Sequence, residues 1–393
     1  MQIVKTYQNL KGDKIIWMIV ALLSIISVLA VYSSVGSMAY KLRGGNTEYF
    51  LIQHMVYVCL GVAAAYLSYQ LHYMQYSRLA PLLLILSVPL LLYTLGYGTE
   101  LNSARRWITI PWIDKSFQTS DFAKLALIIY IARSLAVKQE YIKDFRSAFL
   151  PIIVPVIIVC GLIAPADLST AALLFVTCLM MMFIGRVSLR YVFVLVLAGV
   201  LLILFLIVVG KAFPEWVRLE TWVSRLNQFM AFDDGAYQVM YSKKAIAEGG
   251  FFGLGPGNSV QRNFLPYAYA DFIYAIICEE YGLIGGLLLL GLYLGLLFRC
   301  VAIVTQCPKA FGAILAMGLC LNIVIQAFAN IAVSVHLLPV TGVTLPLVSM
   351  GGTSIIFTCI SIGIILSVSR YVDEAKEQRL ALNEMEIINE GAD

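Results

Sequence analysis

Charge is what this chain has least of. Of its 393 residues only 13% are Asp, Glu, Lys or Arg, against roughly 25% in a soluble globular domain. That excludes an ordinary soluble enzyme, and a hydrophobic share of 61% marks a polytopic membrane protein. Histidine is scarce too, and His54, His72 and His336 lie too far apart in sequence to suggest a metal site. The eight cysteines contain no CxxC pair and no metal-type spacing. Six of them (Cys59, Cys160, Cys178, Cys278, Cys320 and Cys359) fall in apolar runs, and Cys300 and Cys307 flank a short basic loop, so free thiols are expected and no disulfide. The net charge of +4 is scattered among loops and builds no basic face for nucleic acid.

Long apolar runs are abundant. A helix needs about 20 apolar residues to span the hydrocarbon core, and ten candidates lie near 15–38, 49–70, 79–98, 121–137, 148–165, 169–185, 189–210, 271–298, 311–335 and 345–369. The first run follows Lys5, Lys11 and Lys14 and exceeds the roughly 7–15 residues of a signal-peptide core. It is expected to stay as a membrane helix, although Ser37-Met38-Ala39 weakly imitates a cleavage site. Lys and Arg in the short loops place residues 1–14 and the acidic tail 371–393 on the cytoplasmic side. The fold class expected is an all-α polytopic integral membrane protein, one membrane-embedded domain over 1–393. A large extracytoplasmic loop, about 211–270, joins its seventh and eighth helices. No internal repeat of the kind seen in many secondary transporters is visible.

The chain is organised around Phe264 to Gly286, FLPYAYADFIYAIICEEYGLIGG. Pro266, Tyr267 and Tyr269 read as an ordered interfacial loop, because aromatic amphiphiles favour the headgroup level. Asp271 follows at the expected start of a hydrophobic helix, where the helix dipole favours a negative charge. A lone Asp there is most simply a helix cap. This one, however, ends about sixty soluble-looking residues in a chain that is otherwise almost all membrane. Glu279 and Glu280 lie inside the apolar run, where a carboxylate is functional or paired. A glycosidase-like pair of Asp271 and Glu279 is excluded: eight helical residues rise about 12 Å, beyond the roughly 5–9.5 Å such pairs need. A single carboxylate suits transfer from a pyrophosphate, which departs without a proton and leaves only the attacking hydroxyl to deprotonate. Cations would neutralise the leaving group; the candidates are Arg105, Arg106, Lys124, Lys243, Lys244 and Arg262.

Other stretches carry two readings each. Ser120 can cap the fourth membrane helix, with Asp121 in its first turn and Lys124 three residues on, spaced to pair. That pair reads as a structural lock or as part of a phosphate-handling site. Arg105, Arg106 and Trp107 read equally as an interfacial anchor and as a clamp on an anionic headgroup. The glycines between Gly249 and Gly257 are turns that fold the loop back, since no strand precedes them, Pro256 interrupts and no GKS/T follows. Gly351-Gly352 sits where it can break the last apolar segment or allow close packing.

Taken in order, ARRWI, TSDFAKLAL, PADLSTA, the AIAEGGFFGLGPGNSVQ…LPYAYADFIYAIICEEYG block and TGVTLPLVSMGGTS resemble the motifs of the SEDS family (shape, elongation, division and sporulation) of peptidoglycan glycosyltransferases, over about residues 15–370. The division (FtsW) branch is the nearer one, with the elongation (RodA) branch the close relative. The family pattern places its catalytic Asp on Asp271, its intramembrane ion pair on Asp121 and Lys124, and its Arg-Trp motif on Arg106 and Trp107. It differs in having Glu at position 121, His-Thr where Tyr269-Ala270 stand, and Gly where Ser169 stands.

The resemblance implies polymerisation of lipid II, a disaccharide-pentapeptide on undecaprenyl pyrophosphate, at the outer face of the cytoplasmic membrane, for septal wall synthesis. It implies a class B penicillin-binding protein and other division proteins as partners. No metal ligand and no obligatory cofactor is implied, and a divalent cation at the pyrophosphate stays open. Two other classes compete: a lipid II flippase, which is also polytopic with intramembrane charges, and a non-catalytic scaffold. A single base beside cations at one surface favours the enzyme, whereas a charged path to the opposite face would favour the flippase.

Overall fold

The computed structural model describes residues 11–101, 104–110, 115–212, 217–230 and 237–390. Thirteen α-helices run through them: α1 Lys14–Ser34, α2 Gly36–Arg43, α3 Thr47–Gln70, α4 Met74–Tyr97, α5 Thr119–Val137, α6 Leu150–Ile163, α7 Leu168–Ile184, α8 Leu189–Ala212, α9 Leu219–Met230, α10 Tyr237–Gly249, α11 Ile273–Gln306, α12 Ala310–Ser334 and α13 Thr353–Glu390. Among the described residues eight helices are long and apolar enough to cross a membrane. Leu168–Ile184 is apolar but shorter, and α5 carries Asp121, Lys124 and Arg133 within its length. The all-α expectation has one exception, a small antiparallel sheet of β1 (Thr99–Leu101), β2 (Ala104–Ile110) and β3 (Lys115–Gln118) in the order β1-β2-β3. Its β-branched and aromatic run, RWITI, suits a strand.

Several helix starts are written in side chains. Asp13 accepts from the Ile15 and Ile16 amides to cap α1, Asn46 accepts from Tyr49 to cap α3, and Asp167 accepts from Thr170 to cap α7. Each satisfies amides that a helix N-terminus leaves unpaired. Ser120 does not play this part: α5 begins one residue earlier, and the Ser120 hydroxyl accepts from Gln118 Nε2 at 2.9 Å.

Burial separates the central helices from the peripheral ones. In α12 and α13, 67% of the apolar window is buried inside the protein, but only 11% in α8, where Leu195 and Leu206 are the buried leucines. Among apolar helices in lipid, close approach is governed by small residues. Gly363 of α13 shows this against α3, since a Cβ there would meet the Ala65 carbonyl oxygen at 2.3 Å. Two expected boundaries move. The last span begins only at Thr353, after Gly351-Gly352, and continues unbroken to Glu390, so the acidic tail is helical for most of its length. The stretch 211–270, read as a loop, contains α9 and α10.

On one side of the bundle Asp13, just before α1, joins α11 and α13. Asp13 binds Arg299 near the end of α11, with Nη2 and Nε at 2.6 and 2.8 Å, and its amide donates to Ser369 of α13. The side holding Asp271 is opposite, where α12 ends and α11 begins.

Candidate active site at Asp271

Two irregular segments form the floor of the site and are sewn together by side chains. Asn330 of α12 donates through Nδ2 to the Asp271 and Val343 carbonyls, both at 2.7 Å. Ser349 donates to the Ala270 carbonyl at 2.5 Å and accepts from the Leu345 amide. Met350 N–H donates to the Tyr269 carbonyl at 3.0 Å. These bonds satisfy the polar groups of a non-helical backbone that is buried in protein. Asp271 itself sits in the turn before α11, its amide bonded to the Tyr267 carbonyl at 3.1 Å. It does not cap the helix as expected. Phe272 occupies the cap position and makes no side-chain cap, so the Asp271 carboxylate points elsewhere.

It points toward arginines. Gly342 has φ 71°, a conformation suited to glycine. A Cβ built on it would lie 3.6 Å from Asp271 Oδ2 and 3.8 Å from Arg225 Nη2. Arg225, from the middle of α9, donates to the Thr341 carbonyl at 3.1 Å and is thereby held over the same glycine. Arg106 of β2 joins from the other flank through Asp167 at 2.8 Å, and donates to the Ala166 carbonyl through Nε.

Electrostatics follow from that placement. Burial pushes the Asp271 carboxyl up to about 6, opposed by Arg225 and then Arg106, while Asp167 adds a smaller upward push. Burial also lowers Arg225 and Arg218, each further lowered by Arg106 nearby. Three guanidinium groups and two carboxylates thus share one field, with a net positive balance that suits a polyanionic leaving group. Tyr269, two residues before Asp271, is pushed by burial to about 12 and stays a neutral phenol at ordinary pH.

The expected residues divide into two groups. Asp271 and Arg106 come together. Trp107 pairs through its backbone with Thr99 and Gln118 in the sheet; of Arg105 the backbone alone is described, opposite Glu100. The remaining cations of the long loop lie away from the carboxylate. Lys244 is exposed and pairs with Glu248 at 3.7 Å, Lys243 is exposed on the same helix, and Arg262 donates to the carbonyl and hydroxyl of Ser33. Asp121 and Lys124 stand 2.8 Å apart, both largely buried, beside a small polar cavity of about 20 Å³ that Gln326, Ser354 and Thr358 also line. Glu279 and Glu280 are structural anchors: Glu279 accepts from the Ser259 hydroxyl and the Val260 and Gln261 amides, and Glu280 from the Ser33 hydroxyl.

Arg225, Arg218 and Asp167 were not anticipated as site residues. A signal for the arginines existed: positions 218, 222, 225 and 229 fall on one helical face, alternating Arg, Trp, Arg and Phe. A neighbouring stripe about a quarter-turn away, Val223, Leu226 and Met230, is exposed.

The sequence matches the family described as "Cell cycle protein", FtsW/RodA/SpoVE, over residues 13–374. The chain belongs to this family. Among its relatives, Stage V sporulation protein E of Bacillus subtilis is 33% identical, over 93% of this chain and 99% of that one. A protein of Geobacter metallireducens described as "Probable peptidoglycan glycosyltransferase FtsW" is 34% identical, over 91% of this chain and 94% of that one. One solved structure, described as "Structural coordination of polymerization and crosslinking by a peptidoglycan synthase complex", superposes with a TM-score of 0.73 at 25% identity, covering 91% of this chain and 98% of the other. RodA of Thermus thermophilus shares the fold, with a TM-score of 0.67 at 24% identity over 92% and 98% of the two chains. The FtsW/RodA/SpoVE match covers every described element of the Asp271 site. Among the described residues no three His, Cys, Asp or Glu side chains come together in a way that could hold a metal ion.

Proposed function

We propose that this multi-pass membrane protein is a peptidoglycan glycosyltransferase that polymerises lipid II into glycan strands, in the septal role of the FtsW branch. The observation that carries the mechanism is the carboxylate of Asp271, raised by burial to about 6 and faced by Arg225 and Arg106. A sugar hydroxyl attacks the anomeric carbon of the glycan that carries undecaprenyl pyrophosphate. As the new C–O bond forms, Asp271 takes the hydroxyl proton. The bond to the pyrophosphate breaks, and its electrons leave with a diphosphate that needs no proton. Arg225 approaches that charge directly, and Arg106, oriented by Asp167, adds to the field. A base with pKa near 6 is ionised at neutral pH yet basic enough to share a proton in the transition state.

The membrane is the cytoplasmic one, with both termini cytoplasmic and Asp271 facing outward, an orientation supported by the Lys and Arg bias of the short loops. A class B penicillin-binding protein would cross-link the product, as the synthase-complex likeness suggests, with other division proteins around it. The test is purified chain with labelled lipid II, alone and with such a partner, beside a translocation assay in vesicles. Glycan strands support the reading. Translocation without strands overturns it in favour of a flippase.

A further inference from the structure

Among the described residues, the loop that follows α10 carries the most exposed phenylalanines of the Asp271 side. Phe251 is 70% exposed, Phe252 83% and Leu254 42%. Leaving such side chains in water forgoes roughly 1.5–3 kcal/mol each, so their position relative to the bilayer matters.

Helix α11 fixes that position. Its 34 residues measure about 51 Å, well beyond the roughly 30 Å of a hydrocarbon core, so part of it lies outside lipid. The pattern along it shows which part. From Ile273 to Glu280 every residue is buried in protein, including Glu279 and Glu280. From Leu283 onward the outward residues are apolar and open: Leu283 46%, Ile284 55%, Leu287 54% and Leu288 56%. At the far end stands Arg299, tied to Asp13. Between Gly282 and Arg299 the helix rises about 26 Å, close to the thickness to be crossed. Gly282, with φ 67° and ψ −166°, breaks the helix where lipid exposure begins.

The loop is zipped into that break. Leu254 and Gly255 amides donate to the Glu279 and Glu280 carbonyls at 2.9 and 3.0 Å, and the Leu283 amide donates to the Gly250 carbonyl at 2.9 Å. A Cβ on Gly253 would meet the Glu280 oxygen at 2.1 Å, and one on Gly282 would meet the Phe251 oxygen at 2.3 Å. These contacts fix the loop backbone on both sides of Phe251 and Phe252.

We propose that Phe251, Phe252 and Leu254 form a rigid wedge inserted among the lipids at the bilayer boundary on the Asp271 side. The surface is continuous with the lipid-facing stripe of Leu283 and Ile284, and aromatic side chains settle at that depth. Because the same bonds hold the first turns of α11, the wedge sets the height of Asp271 above the hydrocarbon. The inference does not depend on the reaction assigned to that residue.

Photo-crosslinking tests it. The full chain with Phe252 replaced by benzoylphenylalanine is reconstituted into phosphatidylglycerol–phosphatidylethanolamine vesicles and irradiated. A parallel sample carries the probe at Ile284. Intact-mass analysis should find phospholipid adducts at position 252 at a yield within about threefold of position 284. Adducts at 284 with none at 252 would overturn the wedge. A protein adduct replacing the lipid adduct at 252, in membranes of the source cell, would also overturn it and make the tip a docking site.

Discussion

Asp271 is set by opposing influences that a single substitution can unbalance. Burial raises its carboxyl to about 6, and Arg225 and Arg106 restrain it from going higher. As a base it works only when ionised, so activity should fall on acidification, with an acid limb near pH 6 in kcat/KM. Removing a cation that favours the carboxylate raises the pKa, so Arg225→Gln should move that limb to higher pH as well as lower the rate. A pH–rate profile of the variant with its limb unmoved would separate Arg225 from Asp271. Gly342 is equally confined. At φ 71° an alanine is strained, and relief of that strain would shift a methyl already in contact with Asp271 Oδ2 and Arg225 Nη2. Gly342→Ala should therefore lose most polymerisation while lowering the melting temperature only modestly. Asp271 was legible in the sequence because a polar loop ended in it. Arg225 was not, since it is one of six cations between residues 211 and 270, and composition could not tell which of them a helix would turn inward.

At the scale of elements, the fifth helix shows how much a charge in the membrane is asked to do. Asp121 and Lys124 lie 2.8 Å apart with side-chain exposures of 4% and 12%, and Asp121 Oδ2 has no further partner among the described residues. Breaking a buried pair by removing one member costs roughly 3–5 kcal/mol, whereas replacing both by apolar side chains is often neutral. Lys124→Ala should thus melt markedly lower in detergent, and the double variant Asp121→Leu, Lys124→Met should recover most of the loss. Equal melting of Lys124→Ala and the unaltered chain would remove the pair from any structural role. The helical spacing of three made this contact readable in advance. The β-sheet was harder to foresee, because RWITI is short and flanked by membrane runs that dominate any reading by hydropathy. The two helices within 211–270 were hidden for a related reason: the apolar stripe of α9 reads as loop when the surrounding chain is far more hydrophobic.

Across the whole molecule, Asp13 braces the bundle on the side away from Asp271. The Asp13 carboxylate caps α1 and accepts from Arg299 of α11, while the Asp13 amide donates to the Ser369 hydroxyl of α13, so three helices meet at one residue. Arg299→Ala should destabilise the protein by on the order of 2 kcal/mol, the scale of a hydrogen bond to a charged group, read as a lower melting temperature without a change in the acid limb of activity. The order of membrane runs was legible because apolar runs of twenty residues have few alternatives in lipid. Where the last span starts was not, since Gly351-Gly352 permits either a break or close packing, and only the bonds from Ser349 and Met350 to the Asp271 turn decide for a break.

The central claim is that one carboxylate, Asp271, activates the sugar hydroxyl. Asp271→Asn keeps the side chain's size and removes its basicity, and the backbone bonds from Asn330 and to Tyr267 do not involve the carboxylate. The measurement is glycan-strand yield from labelled lipid II by the purified variant beside the unaltered chain. The variant should fold and melt normally and lose polymerisation by roughly 10²–10⁴-fold, the usual contribution of a general base. Strand formation at a near-normal rate by Asp271→Asn would contradict the account.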